Sequence, residues 1–305
     1  MSKVVVVGSI NVDLCCYLDR WPEVHETVHT AGFKQFLGGK GANQAVAAAR
    51  LGADVTFVGA VGRAAYADFV EETLAAEALA LNLVDFHDAP TGMAFIDIGP
   101  RSENIIRLVG GANAALSPAD ISDRAEVFQP GGLLLLQNEI PLEVSLEAAE
   151  HARAQGMTVV MDPAPSPAQP WPVETARAFD VLTPNAVEAS LYCGFVPSGA
   201  EEGRNAAQRI TERFGCDAIV TMGADGVAWS AQGDTGWISV PEVATVDTVG
   251  AGDCFNGAFA TAVAEGKAWR EAMAFAVEAA SLSTTRQGAM AALPRREDLA
   301  PRESN

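Results

Sequence analysis

The sequence predicts an α/β chain: a mostly parallel central sheet with helices on both faces, plus a small β-sheet standing apart as a lid. Three observations predict it. Unbroken apolar runs such as residues 4–7 and 133–136 read as strands buried on both faces. Alanine-rich helical stretches alternate with those runs, which is the order of a parallel sheet wrapped by helices. Residues 11–37 and 84–108 break the alternation with period-two stretches, the mark of half-buried antiparallel strands.

Along the chain, residues 4–7 end in Gly8-Ser9, and similar buried strands are expected at 55–58, 133–136, 158–161 and 218–221. Helical patterns at 42–51, 142–155 and 204–214 fall between them. The last third carries two long alanine-rich helices, 254–264 and 269–284, parted by Gly266-Lys267 as cap and turn. In the two interruptions, Val28-His29-Thr30-Ala31 and Ala94-Phe95-Ile96-Asp97-Ile98 alternate, and each returns through a glycine pair, Gly38-Gly39 and Gly110-Gly111. The expected body is residues 1–10, 38–83 and 109–305, and the expected discontinuous lid is 11–37 with 84–108. A small sheet on a larger body is how lids are commonly made. Ordinary edge strands are the alternative.

Composition excludes several classes. A chain of 305 residues with 49% apolar and 19% charged residues buries enough surface to fold without staples, and disorder is excluded as its main state. The net charge of −19 repels phosphate backbones and anionic lipid, so neither nucleic acid nor a membrane surface is an expected partner. A phosphate ligand therefore needs a local site working against the global field. Cys15, Cys16, Cys193, Cys216 and Cys254 form no CxxC, so free thiols in a reducing cytoplasm are expected. The N-terminus is too short for a signal-peptide core, and no apolar run reaches the ~18 residues of a membrane span. The expectation is a soluble, cytoplasmic protein.

The strongest chemical signal is Asp247-Thr248-Val249-Gly250-Ala251-Gly252-Asp253, running into the apolar helix that starts at Cys254. Small residues at a helix start leave amide N–H groups open, and those donors favour an anion together with the helix dipole. Asp253 fits two roles there: a cap, or a base accepting a proton from an attacking hydroxyl. Spacing alone leaves both open. A second glycine-rich turn, Gly38-Gly39-Lys40-Gly41-Ala42-Asn43, opens another helix, with Asn43 as ligand or cap. Neither turn is a Walker A loop, and Phe255 occupies the last glycine position of GxGxxG. Asn11 and Asp13 lie just past the first strand, at the sheet edge where open parallel sheets bind ligands. Asn185 with Glu188, and Thr221 with Gly223 and Gly226, follow two further strands. Polar groups recurring at strand ends favour one shared crevice over separate caps. His25-Glu26-Thr27-Val28-His29 matches HExxH, but its β-branched flanks oppose a helix, and in a strand the two histidines stand ~13 Å apart. A zinc hydrolase is the weakest alternative.

With those residues in view, the chain resembles the ribokinase-type sugar kinases of the phosphofructokinase-B carbohydrate kinase family over nearly its whole length. The resemblance rests on Gly8-Ser9-Ile10-Asn11-Val12-Asp13, on Gly38 to Asn43, on Gly111-Ala112-Asn113-Ala114-Ala115-Leu116-Ser117-Pro118, and on Asp247 to Gly257, with Thr285-Arg286-Gln287-Gly288-Ala289 in the tail. It implies a ribokinase-like fold and ATP-dependent phosphorylation of a sugar's primary hydroxyl, with D-ribose to ribose 5-phosphate the first expectation. Fructose, 2-keto-3-deoxygluconate or a nucleoside are substrates of relatives sharing this machinery; a non-catalytic sugar-binding protein is the alternative from another class. The resemblance implies that Asn11, Asp13, Gly39, Lys40, Asn43 and Glu139 hold the sugar. It implies Asp253 as base, and Gly250, Ala251 and Gly252 as the anion hole. Asn185, Thr221, Gly223 and Gly226 would line the ATP site, with Asn185 and Glu188 supporting magnesium indirectly. Asp247, Val249, Ser283, Arg286 and Gly288 would frame a monovalent cation, usually potassium. A homodimer paired through the lid is a further expectation.

Three positions depart from the family pattern. His25 replaces the usual glycine of P-x-x-G-E-T, so that turn is expected to be built differently. Arg63 replaces a common acidic residue after Val61-Gly62, and the glycine a few residues on is missing. Ala292 stands where a serine is frequent, leaving only a carbonyl for a cation.

Overall fold

The computed structural model of the chain describes residues 3–101 and 103–299. Its strands, in chain order, are β1 (Lys3–Val7), β2 (Asn11–Tyr17), β3 (Gly32–Gly38), β4 (Asp54–Gly62), β5 (Ala80–Phe86), β6 (Gly92–Ile98), β7 (Asn104–Val109), β8 (Leu133–Gln137), β9 (Thr158–Asp162), β10 (Val181–Leu182), β11 (Asp217–Thr221), β12 (Val227–Ala231) and β13 (Asp234–Ile238). The α-helices are α1 (Lys40–Arg50), α2 (Ala67–Ala75), α3 (Ala112–Ala115), α4 (Pro118–Ser122), α5 (Leu142–Ala154), α6 (Val173–Ala176), α7 (Ala186–Cys193), α8 (Gly199–Phe214), α9 (Ala251–Ala264) and α10 (Trp269–Ser283).

The four valines of β1 show why its sequence is unbroken rather than alternating. β1 lies between β8 and β4 in the large sheet, whose order is β13-β12-β11-β10-β9-β8-β1-β4-β5. Val4 and Val6 join the apolar layer beneath α1, α9 and α10, whereas Val5 and Val7 join the layer beneath α5, α7 and α8. All four are fully buried. Each such side chain contributes about 1.5–3 kcal/mol by leaving water. Helices therefore cover both faces, and β4, β5, β1, β8, β9, β10 and β11 run parallel. β12 alone runs the other way, antiparallel to both β11 and β13, and it is joined to β13 by Gln232-Gly233 with both residues at positive φ, the geometry of a tight hairpin.

The second sheet has the order β3-β2-β6-β7. Its outer pairs are antiparallel and its central pair, β2–β6, is parallel. The reason is topological: both insertions leave neighbouring regions of the large sheet heading the same way, so their first strands run alongside each other. Two details of the sequence reading change. Residues 84–86 belong to the large sheet, because β5 stays paired with β4 through Phe86. Residues 28–31 form no strand; Ala31 donates to the Tyr17 carbonyl and closes the β2–β3 connection before β3 begins.

His25 adopts a φ of 69°, the left-handed conformation that favours glycine, and Glu26 N–H bonds the Glu23 carbonyl at 3.1 Å. A histidine in that conformation costs about 1 kcal/mol. Arg63 sits outside on the surface, bridging Glu71 at 2.7 Å and Asp85 at 2.6 Å. No helix among the described residues is long and apolar enough to cross a membrane.

Two glycines let the helices come close enough to matter. A Cβ on Gly41 would lie 2.5 Å from the backbone of Gly8 and Ser9, so the first turn of α1 rests on the chain leaving β1. A Cβ on Gly257 would lie 2.6 Å from Ala47 Cβ and 2.7 Å from the Gln44 carbonyl, so α9 crosses α1 at contact distance. Thr261 adds a hydrogen bond from its hydroxyl to the Ala48 carbonyl at 3.3 Å. Replacing Gly257 by valine should force the two helices apart and destabilise the fold by about 1–3 kcal/mol in urea unfolding. An unchanged urea midpoint would contradict this reading of the crossing.

Candidate active site

The crossing of α1 and α9 brings two glycine-rich helix starts to one place. Asp253 lies in the first turn of α9 but does not cap it; Gly250, at φ 78°, occupies the cap position. Its carboxylate is instead held from α1. Asn43 Nδ2 donates to Asp253 Oδ2 at 2.9 Å, and Gln44 Nε2 donates to Asp253 Oδ1 at 3.2 Å. Asn43 likewise is no cap, since Gly39 stands at that position of α1. Both residues that spacing left open between cap and ligand are thus inside one buried network.

Gln44 was not singled out from the sequence, nor was Asp162. Gln44 Nε2 also donates to Asp162 Oδ2 at 2.9 Å, and Gln137 Nε2 donates to Gln44 Oε1 at 2.8 Å. A signal for Asp162 did exist: it is a polar residue ending a buried strand, at the same sheet edge as Ser9 and Gln137. Ser9 was missed too. Its hydroxyl donates to Glu139 Oε2 at 2.5 Å and accepts from Gly41 N at 3.3 Å. The same Glu139 oxygen accepts the Lys40 amide at 3.0 Å, a carboxylate at a helix N-terminus.

Lys40 is the positive centre of the cluster. Burial alone would lower its pKa, but Asp253, Asp162, Glu139 and Glu188 outweigh burial and raise it, keeping the ammonium charged. Burial raises Asp253, while Lys40 and the bonds from Asn43 and Gln44 pull it back toward ionisation. Asp162 is pushed up to about 8 by burial, against Lys40. Asp13 is raised to about 7, first by burial and then by Glu139 and Asp253.

Asn11 and Asp13 share one face of β2, two residues apart. Asn113 fixes Asn11: its Nδ2 donates to Asn11 Oδ1 at 2.9 Å, while its Oδ1 accepts the Ile10 amide at 2.9 Å. Asn11 therefore keeps its own amide hydrogens for another partner. The Asp13 carboxylate rests against Gly38 in the space a Cβ would fill. Asn11, Asp13, Gly39, Lys40, Asn43, Glu139 and Asp253 are brought together at the strand ends of β1, β2 and β8.

The α9 start differs in one respect from the expected anion hole of Gly250, Ala251 and Gly252. The Ala251 amide bonds the Thr248 carbonyl at 3.2 Å, so it is engaged by a turn. Cys254 N–H likewise bonds the Gly250 carbonyl at 2.8 Å. The amides of Gly250, Gly252 and Asp253 have no acceptor among the described residues. A Cβ on Gly252 would meet nothing within 4 Å, so space lies open beside it. Donors and dipole there suit an anion.

Asn185 and Glu188 form a reciprocal cap at the start of α7, with Asn185 Oδ1 accepting Glu188 N at 2.9 Å and Glu188 Oε2 accepting Asn185 N at 2.8 Å. One Glu188 oxygen remains, and burial first of all raises its pKa. No group of three or more His, Cys, Asp or Glu among the described residues forms a metal cage. The donors present fit a magnesium ion arriving with phosphate oxygens, not one caged by protein alone. Thr221, Gly223 and Gly226 surround the turn after β11, where Gly226 packs against Trp237.

Asp247 joins the loop before α9 to the tail. Its Oδ1 accepts Val249 N at 3.0 Å and its Oδ2 accepts Gly288 N at 2.9 Å. The Ser283 hydroxyl donates to the Ala280 carbonyl, and the Arg286 guanidinium bonds Asp298 at 3.1 Å. A half-buried carboxylate between two loops fits a monovalent cation, with main-chain carbonyls completing the donor set. His25 and His29 lie in an exposed loop outside any helix, so the HExxH pattern has no zinc geometry.

Comparison with known proteins agrees with this arrangement. The model of the pfkB family carbohydrate kinases matches residues 1–296, and the chain belongs to that family. The ribokinase of Haemophilus influenzae is 36% identical over 298 residues, covering 97% of each chain. A deoxyribokinase of Salmonella typhimurium is 34% identical over 294 residues, covering 95% of each. The structure of Arabidopsis thaliana ribokinase complexed with ribose and ATP superposes with a TM-score of 0.89 at 33% identity, covering 97% of each chain.

Asp13 makes stability depend on pH. Its folded-state pKa lies above the unfolded value, so its contribution is complete below about pH 4 and is lost as pH rises through about 7. Without sugar, the Asp13→Asn variant should gain on the parent protein by about 2 kcal/mol in urea unfolding between pH 5.5 and 8. A constant difference between the two proteins would refute the shift.

Proposed function

We propose that the chain phosphorylates the primary hydroxyl of D-ribose from ATP, giving ribose 5-phosphate and ADP. The observation that carries this reading is the Asp253 carboxylate, held by Asn43 and Gln44 beside the unpaired amides of Gly252 and its own residue. Asn11, Asp13, Gly39, Lys40, Asn43 and Glu139 hold the sugar hydroxyls. Asp253 accepts the hydroxyl proton as the oxygen attacks the γ-phosphorus and the bond to the bridging oxygen of ADP breaks. The amides of Gly250, Gly252 and Asp253, with Lys40, offset charge on the transferring group. A base whose pKa is raised by burial is better matched to work near neutral pH than an exposed aspartate.

Asn185, Thr221, Gly223 and Gly226 line the nucleotide side. Magnesium would be supported indirectly by Asn185 and Glu188 and would neutralise phosphate charge. Asp247, with carbonyls of Val249, Ser283, Arg286 and Gly288, would hold potassium behind the α9 start. The small sheet acts as the lid that limits transfer to water. It leaves Phe33, Phe36, Ile105, Ile106 and Leu108 exposed, and a second copy of the chain would cover that apolar surface in a homodimer.

A coupled ATP assay across ribose, deoxyribose, fructose, 2-keto-3-deoxygluconate and nucleosides tests the substrate, with ribose expected to give the highest kcat/KM. Ribose as the poorest substrate would overturn the assignment. Asp253→Asn should retain sugar binding in calorimetry and lose about 10²–10⁴-fold in turnover. Unchanged turnover would remove Asp253 as the base.

A further inference from the structure

Among the described residues, Gln44 is the one side chain that hydrogen-bonds both buried aspartates of the cluster, Asp162 and Asp253. Gln137 sets its orientation, because Gln137 Nε2 donates to Gln44 Oε1 at 2.8 Å, which fixes Oε1 on that side and turns Gln44 Nε2 the other way. The two hydrogens of Nε2 then serve Asp162 at 2.9 Å and Asp253 at 3.2 Å. Gln44, Gln137, Asp162 and Asp253 are all buried, so water does not substitute freely for any of these bonds. The remaining Asp253 oxygen takes its bond from Asn43. Asn43 belongs to the sugar cradle, so its side chain answers to the substrate as well; Gln44 answers only to protein.

We infer that Gln44, held by Gln137, is a positioning residue that keeps Asp253 ionised and aimed for proton abstraction. The inference rests on Asp253 being the base. Two effects work together. A hydrogen bond to a carboxylate favours its charged form, and a carboxylate held by separate donors on its two oxygens has little freedom to rotate. Burial pushes Asp253 toward the neutral form, in which it cannot accept a proton, and Gln44 opposes that push.

The charged and titratable groups around Asp253 are Lys40 on α1, Asp13 on β2, Glu139 after β8, Asp162 on β9, Glu188 on α7 and the neighbouring Cys254 thiol on α9. Gln44→Met leaves all of them in place and removes only the amide. Asp162 loses a bond as well, but burial already keeps it neutral below about pH 8, so its charge near Asp253 does not change over the acid limb.

The test is the pH profile of kcat/KM for ribose in the parent protein, Gln44→Met and Gln137→Met, with Asp253→Asn run alongside. With the Gln44 donor gone, the Asp253 pKa rises, so the acid limb should move to higher pH by about one unit. Turnover on the acid side of the limb should fall by up to about tenfold and recover at higher pH, with ribose affinity by calorimetry within about threefold of the parent. Gln137→Met, which only frees Gln44 to turn, should move the limb the same way by less; it also decides the matter if Gln44→Met does not fold. A lowered melting temperature with the acid limb unmoved would overturn the inference and leave Asp253 as base. Full turnover in Asp253→Asn would overturn the base assignment, and the role of Gln44 with it.

Discussion

Two helix starts have to meet over one carboxylate, and the rest of the molecule is arranged around that requirement. α1 brings Lys40, Asn43 and Gln44; α9 brings Asp253 and a row of unpaired amides. Neither helix could supply both the acid and its donors. Bare backbone at Gly257 sets their approach, and bare backbone at Gly41 seats α1 on the chain leaving β1; a Cβ at either would strike the chain opposite. The parallel sheet provides the platform, since each strand ends on the same side and delivers one polar residue there: Ser9 after β1, Gln137 ending β8, Asp162 ending β9. Packing thus decides geometry, and geometry decides which carboxylate can act.

The electrostatics follow from the same crowding. A chain with thirty-nine acidic and twenty basic residues does not attract phosphate by its overall field. Positive charge is supplied locally by one lysine and by helix N-terminal amides. Lys40 is surrounded by Asp253, Asp162, Glu139 and Glu188, which hold its proton although burial opposes it. In return, Lys40 keeps the Asp253 carboxylate closer to ionisation than burial alone would allow. The two groups depend on each other, so altering either one changes the protonation of its partner.

Most of this arrangement was legible in the sequence where a residue's role is carried by backbone. Unbroken valines announced β1, and small residues before an apolar helix announced the α9 start. Side-chain partnerships were less legible. Whether Asn43 and Asp253 cap their own helices or bond each other depends on a contact 210 positions apart, which spacing cannot express. Gln44 and Asp162 are not legible in this way, because a glutamine inside a helix and an aspartate ending a strand are ordinary until one donates a hydrogen bond to the other. The Ala251 amide was read as free, although a turn to Thr248 engages it. At His25 the chain takes a left-handed φ, which a histidine in the sequence gives no sign of. The β12–β13 hairpin turns on Gln232-Gly233, and glutamine is not a residue that favours the left-handed position it takes there, so the dipeptide does not mark the turn.

The chain's membership of the pfkB carbohydrate kinases agrees with a site centred on two glycine-rich helix starts, but the roles of its residues rest on where a sugar and a phosphate come to lie. An experimental structure with ribose and a non-hydrolysable ATP analogue measures this directly. The account predicts the primary hydroxyl oxygen within about 3.2 Å of the Asp253 carboxylate, with the terminal phosphate on the amides of Gly252 and Asp253. A hydroxyl held by a different acid, or a phosphate away from the α9 start, would contradict it.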